Sequence, residues 1–319
     1  MANIVFLNAA KVDYDHTLDF SALQACGKLT LYESSSAEEI PARVQDQEVV
    51  ITKEIPLGPE LIEQFPAGVR LICEAGTGYN NIDLETASKK GIRVCNIPAY
   101  STGAVAQLAV TLLLDLCSSL SVQQKMLANG DYRNFTDALS VRHVEAAGKT
   151  LGLVGAGRIG RQVLRVARAL DMPALVYTRT PRTWEDPGIR NASSFDQLLR
   201  ESDFISIHCP LTPKTRHLFD AKAFAAMKPT ACIINTARGP IIDEPALVEA
   251  LRSGRIAGAA LDVQEHEPLS PDSPLFRLDN VVLTPHIGWK CAEARQRLLG
   301  VLARNIRGFL DGKPVNLVS

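Results

Sequence analysis

The sequence predicts an α/β protein made of two doubly wound parallel-sheet domains. Three observations carry that prediction. Short β-type apolar runs alternate with helical stretches along most of the 319 residues. The runs are continuously apolar, as strands are when helices cover both faces of their sheet. They also fall into two series, separated by one long helical stretch.

The first series comprises candidate strands at Ile4–Leu7, Leu29–Tyr32, Val49–Thr52, Arg70–Cys73 and Arg93–Asn96. A helix expected over Asp83–Lys90 stops at Gly91, a residue suited to a helix end. The second series is Thr150–Val154, Ala174–Thr178, Phe204–His208, Cys232–Asn235, Ala257–Asp262 and Val281–Thr284. Between the series, Ser101 to about Asn129 reads as one long helix. Its apolar face carries Val105, Leu108, Ala109, Leu112 and Leu116. The segment from Asp131 to Ala147 is polar and irregular and is expected to protrude as an arm. A final helix is expected over Ala292–Leu310, ending at Gly312.

Composition narrows the classes. Lys and Arg total 34 and Asp and Glu 35, a net charge of −1 that gives no broad attraction to nucleic acid. The opening Met1–Leu7 reads as a first strand and not as a leader peptide. No run approaches the ~20 apolar residues of a membrane span. Seven scattered cysteines contain no CxxC pair. They read as reduced, mostly buried thiols of a cytoplasmic protein, and no metal site is expected.

Gly155-Ala156-Gly157-Arg158-Ile159-Gly160 sets a GxGxxG turn at a strand end, before a helix expected to face inward with Ile159, Val163, Val166 and Leu170. This is the context of a dinucleotide site. Gly155 turns the chain, Gly157 lets a pyrophosphate approach, and Gly160 lets helix and strand pack closely. The next strand ends Tyr177-Thr178-Arg179-Thr180-Pro181-Arg182, with Thr178 where an NAD-type site usually has an acid. Without that carboxylate a 2′-phosphate meets no repulsion, and Arg179 or Arg182 can pair with it. NADPH is therefore expected to be accepted and preferred, with NADH use left open. The plainer reading makes both arginines solvated loop charges.

Three residues at strand ends could do chemistry: Arg238, Glu267 and His286. Ligands of open α/β sheets bind outside the carboxyl ends of strands. A carboxylate beside a histidine fixes its tautomer and favours its charged form. Arginine grips carboxylates with two parallel bonds. Acid/base group, carboxylate clamp and nicotinamide together suggest redox chemistry on a 2-oxo or 2-hydroxy acid.

These motifs resemble the D-isomer-specific 2-hydroxyacid dehydrogenases over nearly the whole chain. The resemblance rests on Gly76-Thr77-Gly78-Tyr79-Asn80-Asn81-Ile82-Asp83, the 155–160 turn and His208-Cys209-Pro210-Leu211-Thr212-Pro213-Lys214-Thr215. It rests also on Asn235-Thr236-Ala237-Arg238-Gly239, on Ala260-Leu261-Asp262-Val263 through Glu267-Pro268, and on Thr284-Pro285-His286-Ile287. The 76–83 stretch, Asn96–Thr102 and Trp289 are most similar to the glycerate dehydrogenase (hydroxypyruvate reductase) branch. Lys290 and Cys291 depart from it, since a small residue commonly follows that Trp. Lys290 is expected to face solvent.

The resemblance implies a flavodoxin-like substrate domain over 1–98 plus 288–319 and a Rossmann cofactor domain over 99–287, with a cleft between. It implies a catalytic trio of Arg238, Glu267 and His286. Substrate would be bound by Gly76, Thr77, Gly78 and Arg238. The cofactor would be held by Gly155, Gly157, Arg158, Ile159, Gly160, Thr178, Arg179, Thr180, His208, Pro210, Thr215, Thr236, Ala237, Arg238, Asp262, His286 and Gly288. The reaction would be reduction of hydroxypyruvate or glyoxylate in a homodimer. Other D-2-hydroxy acids (phosphoglycerate or a larger side chain) and a cofactor-sensing corepressor remain as alternatives.

Overall fold

Twelve strands form two separate sheets in the computed structural model, which describes residues 1–319. The first sheet holds β1 (Ala2–Phe6), β2 (Gly27–Leu31), β3 (Val49–Thr52), β4 (Leu71–Glu74) and β5 (Arg93–Cys95), in the order β2-β1-β3-β4-β5. Every pairing is parallel. This is the doubly wound order of flavodoxin-like domains. Val5, Val50, Ile72 and Val94 lie under one layer of flanking helices, and strand residues between them face the other way.

The second sheet holds β6 (Leu151–Val154), β7 (Ala174–Tyr177), β8 (Ile189–Asn191), β9 (Phe204–Ile207), β10 (Cys232–Asn235), β11 (Gly258–Leu261) and β12 (Val281–Leu283). Its order, β12-β11-β10-β9-β6-β7-β8, is the dinucleotide-binding arrangement extended by a seventh strand. All six pairings are parallel. Alternate residues feed two cores on opposite faces. Leu153, Val176, Phe204 and Ile234 pack on one side, and Val154, Leu175, Ile205 and Ile233 on the other. Two covered faces explain why these strands are continuously apolar in sequence.

By its contacts the chain divides into one unit of Met1–Ser101 with Trp289–Ser319 and a second unit of Thr102–Gly288. Helix starts follow from local chemistry. Asp83 accepts from Thr86 N at 2.8 Å, Asp220 from Ala223 N at 2.9 Å and Asp243 from Ala246 N at 3.1 Å. The C-terminal helix spans Ala292–Leu310.

Two expectations need correction. The stretch after Ser101 is two helices, Thr102–Ser118 and Leu120–Ala128, bent by 64°. Ser119 takes a left-handed backbone (φ 48), which no continuous helix allows, and its Oγ donates to Arg142 O. No single helix is long and apolar enough to cross a membrane. In the helix after the glycine turn (Arg158–Ala169), the buried face is Gly160, Val163, Leu164 and Ala167. Ile159, Val166 and Leu170 lie at its half-buried flank. The 3.6-residue repeat marked the right side of the helix, but close packing against β6 selected the small residues. Strand β8 was not foreseen, because only Ile189 in it is apolar.

Candidate active site

The glycine turn follows from steric necessity at two positions. Gly155 has φ 95, and a Cβ there would lie 2.7 Å from Cys209 N. A Cβ at Gly160 would lie 2.4 Å from Gly155 O, so helix and turn touch through backbone. Gly157 meets nothing within 4 Å, and it caps the Arg158–Ala169 helix without any side-chain bond to the first amides. Open space before uncapped helix N–H groups suits a pyrophosphate. At the carboxyl end of β10, Thr236 Oγ1 is buried without a partner. These features fit a dinucleotide on the second unit.

Along the same edge, His208 ends β9 with its Nε2 2.8 Å from Ser206 Oγ. Burial pushes its pKa down to about 4, so the ring is neutral near pH 7. Thr215 Oγ1 donates to Pro210 O at 2.7 Å and accepts from Thr212 N at 2.7 Å. That hydroxyl braces its own loop. At the end of β7, Thr178 is half-buried, while Arg179, Thr180 and Arg182 are exposed. Asn191 on β8 holds this loop, its Nδ2 donating to Arg182 O at 2.7 Å. No ion pair engages Arg179 or Arg182, whereas Arg168 pairs with Asp186 and Arg190 with Glu201.

The carboxyl ends of β11 and β12 bring together a histidine and a carboxylate. His286 Nδ1 lies 2.8 Å from Glu267 Oε2, and Glu267 Oε1 accepts from Gln264 N at 3.1 Å. The bond to Nδ1 leaves Nε2 as the ring's outward nitrogen. His286 has φ 52, a left-handed conformation that a non-glycine residue holds only under external constraint. Asp262 supplies the constraint. Its Oδ1 accepts from Thr284 Oγ1 at 2.6 Å and Ile287 N at 2.8 Å, and its Oδ2 from Gly288 N at 2.9 Å. Its carbonyl accepts from His286 N at 2.9 Å. Asp262 is 2% exposed, so truncation strands these donors. Asp262→Ala is expected to cost about 3 kcal/mol of stability and to lower turnover by freeing the His286 turn. A thermal melt and a kcat measurement on the variant check this; an unchanged melting temperature contradicts it.

Arg238 stands on the turn after β10. Asn235, fully buried, spans that turn: its Oδ1 accepts from Ala237 N at 3.0 Å and its Nδ2 donates to Arg238 O at 2.9 Å. A Cβ at Gly239 would fall 1.7 Å from Gln264 O, so the Arg238 turn packs directly on the loop that carries Glu267. The guanidinium donates to Ala237 O at 2.7 Å and pairs with no acidic side chain. It is half-buried and has donors to spare.

On the first unit, Gly76, Thr77 and Gly78 follow β4. Thr77 Oγ1 donates to Ile97 O at 2.9 Å and Thr77 O accepts from Asn96 Nδ2 at 2.7 Å. The loop is thus held by its carbonyl and hydroxyl, while the amides of Thr77 and Gly78 make no bond within the chain. Adjacent unpaired amides suit an anion.

Several contributors were not singled out from sequence. Asn235 braces its turn through backbone groups, and Asn191 holds Arg182 O while accepting from Trp184 Nε1; nothing in their spacing marks this. The resemblance implies that Asp262 lies near the nicotinamide end; the bonds of its carboxylate to the His286 turn are a further role that no spacing marks. Lys53 and Glu74, near Gly76, carry no motif; only the topology brings them together.

Comparison with known proteins agrees with this geometry. The model described as "D-isomer specific 2-hydroxyacid dehydrogenase, NAD binding domain" matches residues 110–288. The hydroxypyruvate reductase of Blautia hydrogenotrophica is 37% identical over 311 residues, 95% of each chain. The glyoxylate reductase of Thermococcus litoralis is 41% identical over 266 residues, covering 82% of this chain and 80% of that protein. Among solved structures, the Aquifex aeolicus D-lactate dehydrogenase complexed with NAD and lactic acid superposes with a TM-score of 0.86 at 29% identity, over 99% of each chain. The chain belongs to the D-isomer-specific 2-hydroxyacid dehydrogenase family. It is an oxidoreductase with a nicotinamide cofactor domain, and family members act on small 2-hydroxy acids.

Proposed function

We propose that this protein reduces hydroxypyruvate to D-glycerate, and glyoxylate to glycolate, with NADPH preferred over NADH. The observation that carries the chemistry is the His286 Nδ1–Glu267 Oε2 bond of 2.8 Å at the strand ends of the cofactor unit. The substrate reading is supported by the hydroxypyruvate reductase relative, aligned over 95% of both chains.

A nicotinamide cofactor held on the second unit would supply the hydride that reduces the C2 carbonyl carbon. His286, protonated, donates from Nε2 to the carbonyl oxygen as that oxygen gains charge. Glu267 holds the ring through Nδ1, which keeps Nε2 directed outward. Arg238 orients the substrate by pairing with its carbonyl and carboxylate oxygens. The amides of Thr77 and Gly78 receive the carboxylate, and Gly76 leaves the approach to them free of a side chain. Asp262 keeps the His286 turn in place. Gly155, Gly157, Arg158, Ile159 and Gly160 would hold the pyrophosphate of that cofactor. Thr236, Ala237, Arg238, His286 and Gly288 line the nicotinamide end, and His208, Pro210 and Thr215 the adenosine side.

The cofactor preference rests on Thr178, Arg179 and Thr180, which offer a 2′-phosphate a hydroxyl and a free guanidinium and no carboxylate. Steady-state kinetics with both cofactors test it. A kcat/KM at least about tenfold higher with NADPH is expected, the worth of one charge-assisted contact; a preference for NADH contradicts it. Replacing both Arg179 and Arg182 by Gln is expected to abolish the difference.

A homodimer is proposed from the segment after the helix bend. Leu120, Tyr132, Phe135 and Leu139 are exposed there, Phe135 by 77%, as a cover from a second copy requires. The seven unpaired cysteines suit a reducing, cytoplasmic setting. The activity itself is tested with hydroxypyruvate, glyoxylate, pyruvate, phenylpyruvate and 3-phosphohydroxypyruvate. The first two are expected to show the highest kcat/KM, and a clear preference for the phosphorylated or aromatic acid overturns the substrate reading.

A further inference from the structure

The carboxyl end of the first sheet holds a buried charge cluster that the proposed reaction leaves unused. Lys53 follows β3, and its side chain is 3% exposed. Asn8, after β1, clamps its backbone: Asn8 Nδ2 donates to Lys53 O at 2.7 Å and Asn8 Oδ1 accepts from Lys53 N at 2.9 Å. β1 and β3 are adjacent in a sheet of this order, and the gap between their carboxyl ends is where the winding reverses and ligands bind. The Lys53 ammonium pairs with Glu54 and lies 4.3 Å from the centroid of the buried Trp289 ring. Glu54 itself has φ 61. Glu74, fully buried at the end of β4, accepts from Asn81 Nδ2 at 2.9 Å and from Glu54 N at 3.2 Å.

The pair touches the anion loop. A Cβ added at Gly76 would stand 3.1 Å from both Lys53 Nζ and Glu74 Oε1. Glycine at 76 therefore lets a charged pair pack directly against the strand-to-loop turn that leads to the amides of Thr77 and Gly78. Burying the Lys53 cation and the Glu74 carboxylate at one strand end, with Glu54 reaching in from the exposed side, is costly unless the arrangement serves binding.

We propose that Lys53 and Glu74 are positioning residues for the Gly76–Gly78 loop, setting the charge that the carboxylate of a small 2-oxo acid meets there. This rests on the reading of that loop as the carboxylate site. Lys53 supplies a fixed positive charge at the base of the loop. Glu74 opposes it when ionised. The charged and titratable groups around Glu74 are Lys53 and Glu54 beyond β3 and the Cys73 thiol beside it on β4; Asn81 and Trp289 are neutral. Burial raises the Glu74 pKa to about 7, against the lowering pull of Lys53 and Asn81. Below that pH the cluster holds one cation, Lys53, and one anion, Glu54. Above it a second anion appears and repels the incoming carboxylate. Substrate affinity falls as pH rises through the neutral range, and bound substrate in turn favours protonated Glu74.

The test uses the full-length protein, with hydroxypyruvate as the varied substrate at saturating NADPH, between pH 6 and 8. Wild-type KM is expected to rise by about three- to tenfold over that range, the size of one nearby charge. Glu74→Gln is expected to remove most of that rise while kcat stays within about threefold, a split that marks lost ground-state binding. Lys53→Met keeps the stem on Trp289 and is expected to raise KM at least about tenfold without changing the Kd for NADPH. Should Lys53→Met fail to fold because the cluster then holds carboxylates and no cation, Glu74→Gln decides alone. A wild-type KM profile in Glu74→Gln overturns the proposal, as does an equal loss of kcat, KM and NADPH affinity, which marks a merely structural role. If the unmodified protein reduces none of the 2-oxo acids, the reading of the site itself fails instead.

Discussion

Replacing His286 by Ala is expected to lower kcat for reduction by about 10²- to 10⁴-fold, the usual worth of a positioned acid. His286 reaches its place through three separate constraints. Its Nδ1 is tied to Glu267, its amide donates to Asp262 O at 2.9 Å, and the flanking Thr284 hydroxyl and Gly288 amide are tied to the Asp262 carboxylate. None of these belongs to the glycine turn. The variant loses one wall residue at the nicotinamide end but keeps every contact along 155–160 and on the adenosine side, so it should bind NADPH with an affinity within about threefold of the parent. Fluorescence titration gives the Kd and stopped assays give kcat. Turnover that survives the substitution removes His286 as the acid. Turnover and cofactor affinity lost together would mean the ring holds up the fold, and the Glu267–His286 bond would then be structural.

Arg238→Met is expected to be the second large effect. The side chain keeps its length and apolar stem, so packing changes little, and the turn beneath it keeps both Asn235 bonds while losing the single guanidinium bond to Ala237 O. What disappears is a charged donor pair for the substrate. Loss of one partner from a desolvated charge pair costs about 2–5 kcal/mol, or about 30- to several-thousand-fold in kcat/KM. The loss should fall on both KM and kcat, because Arg238 is proposed to hold the carboxylate in the ground state and to steer the carbonyl toward the acid. Arg238→Lys should recover little, since a single ammonium lacks the planar fork. Equal activity in Arg238→Lys and the parent would argue for a simple point charge. An unaffected Arg238→Met would remove the residue from the site.

Much of this architecture was legible before any coordinates. Eleven of the twelve strands stand out as short apolar runs, and the central ones, such as β3, β4, β6, β9, β10 and β11, are buried on both faces by helices packed on either side of their sheet. β8 escaped because an edge strand needs little apolar surface; Ile189-Arg190-Asn191 carries one inward residue and two polar ones. The helix bend escaped because Ser119 is an ordinary helix residue by composition. It is turned only by its bond to Arg142, 23 positions away in sequence. Among site residues, Gly155 and Gly160 were readable since a missing Cβ leaves a fixed motif. His286, Glu267 and Arg238 were readable as charged groups at the ends of apolar strands. The bracing role of the Asp262 carboxylate is not legible, because sequence cannot show that three donors of a neighbouring turn converge on it. Lys53 and Glu74 left no local signature. They lie 21 residues apart, one just after β3 and one at the end of β4, and only the pairing of Thr52 with Glu74 in the β3–β4 register brings them to one spot.

Reduction of hydroxypyruvate by the purified protein, with the product resolved by chirality, is the most direct measurement. The nicotinamide absorbance should fall with NADPH and hydroxypyruvate together and with neither alone. The product should be D-glycerate, with kcat/KM above that for pyruvate, phenylpyruvate and 3-phosphohydroxypyruvate. No loss of NADPH or NADH with any of these acids, or L-glycerate as the product, would contradict the account.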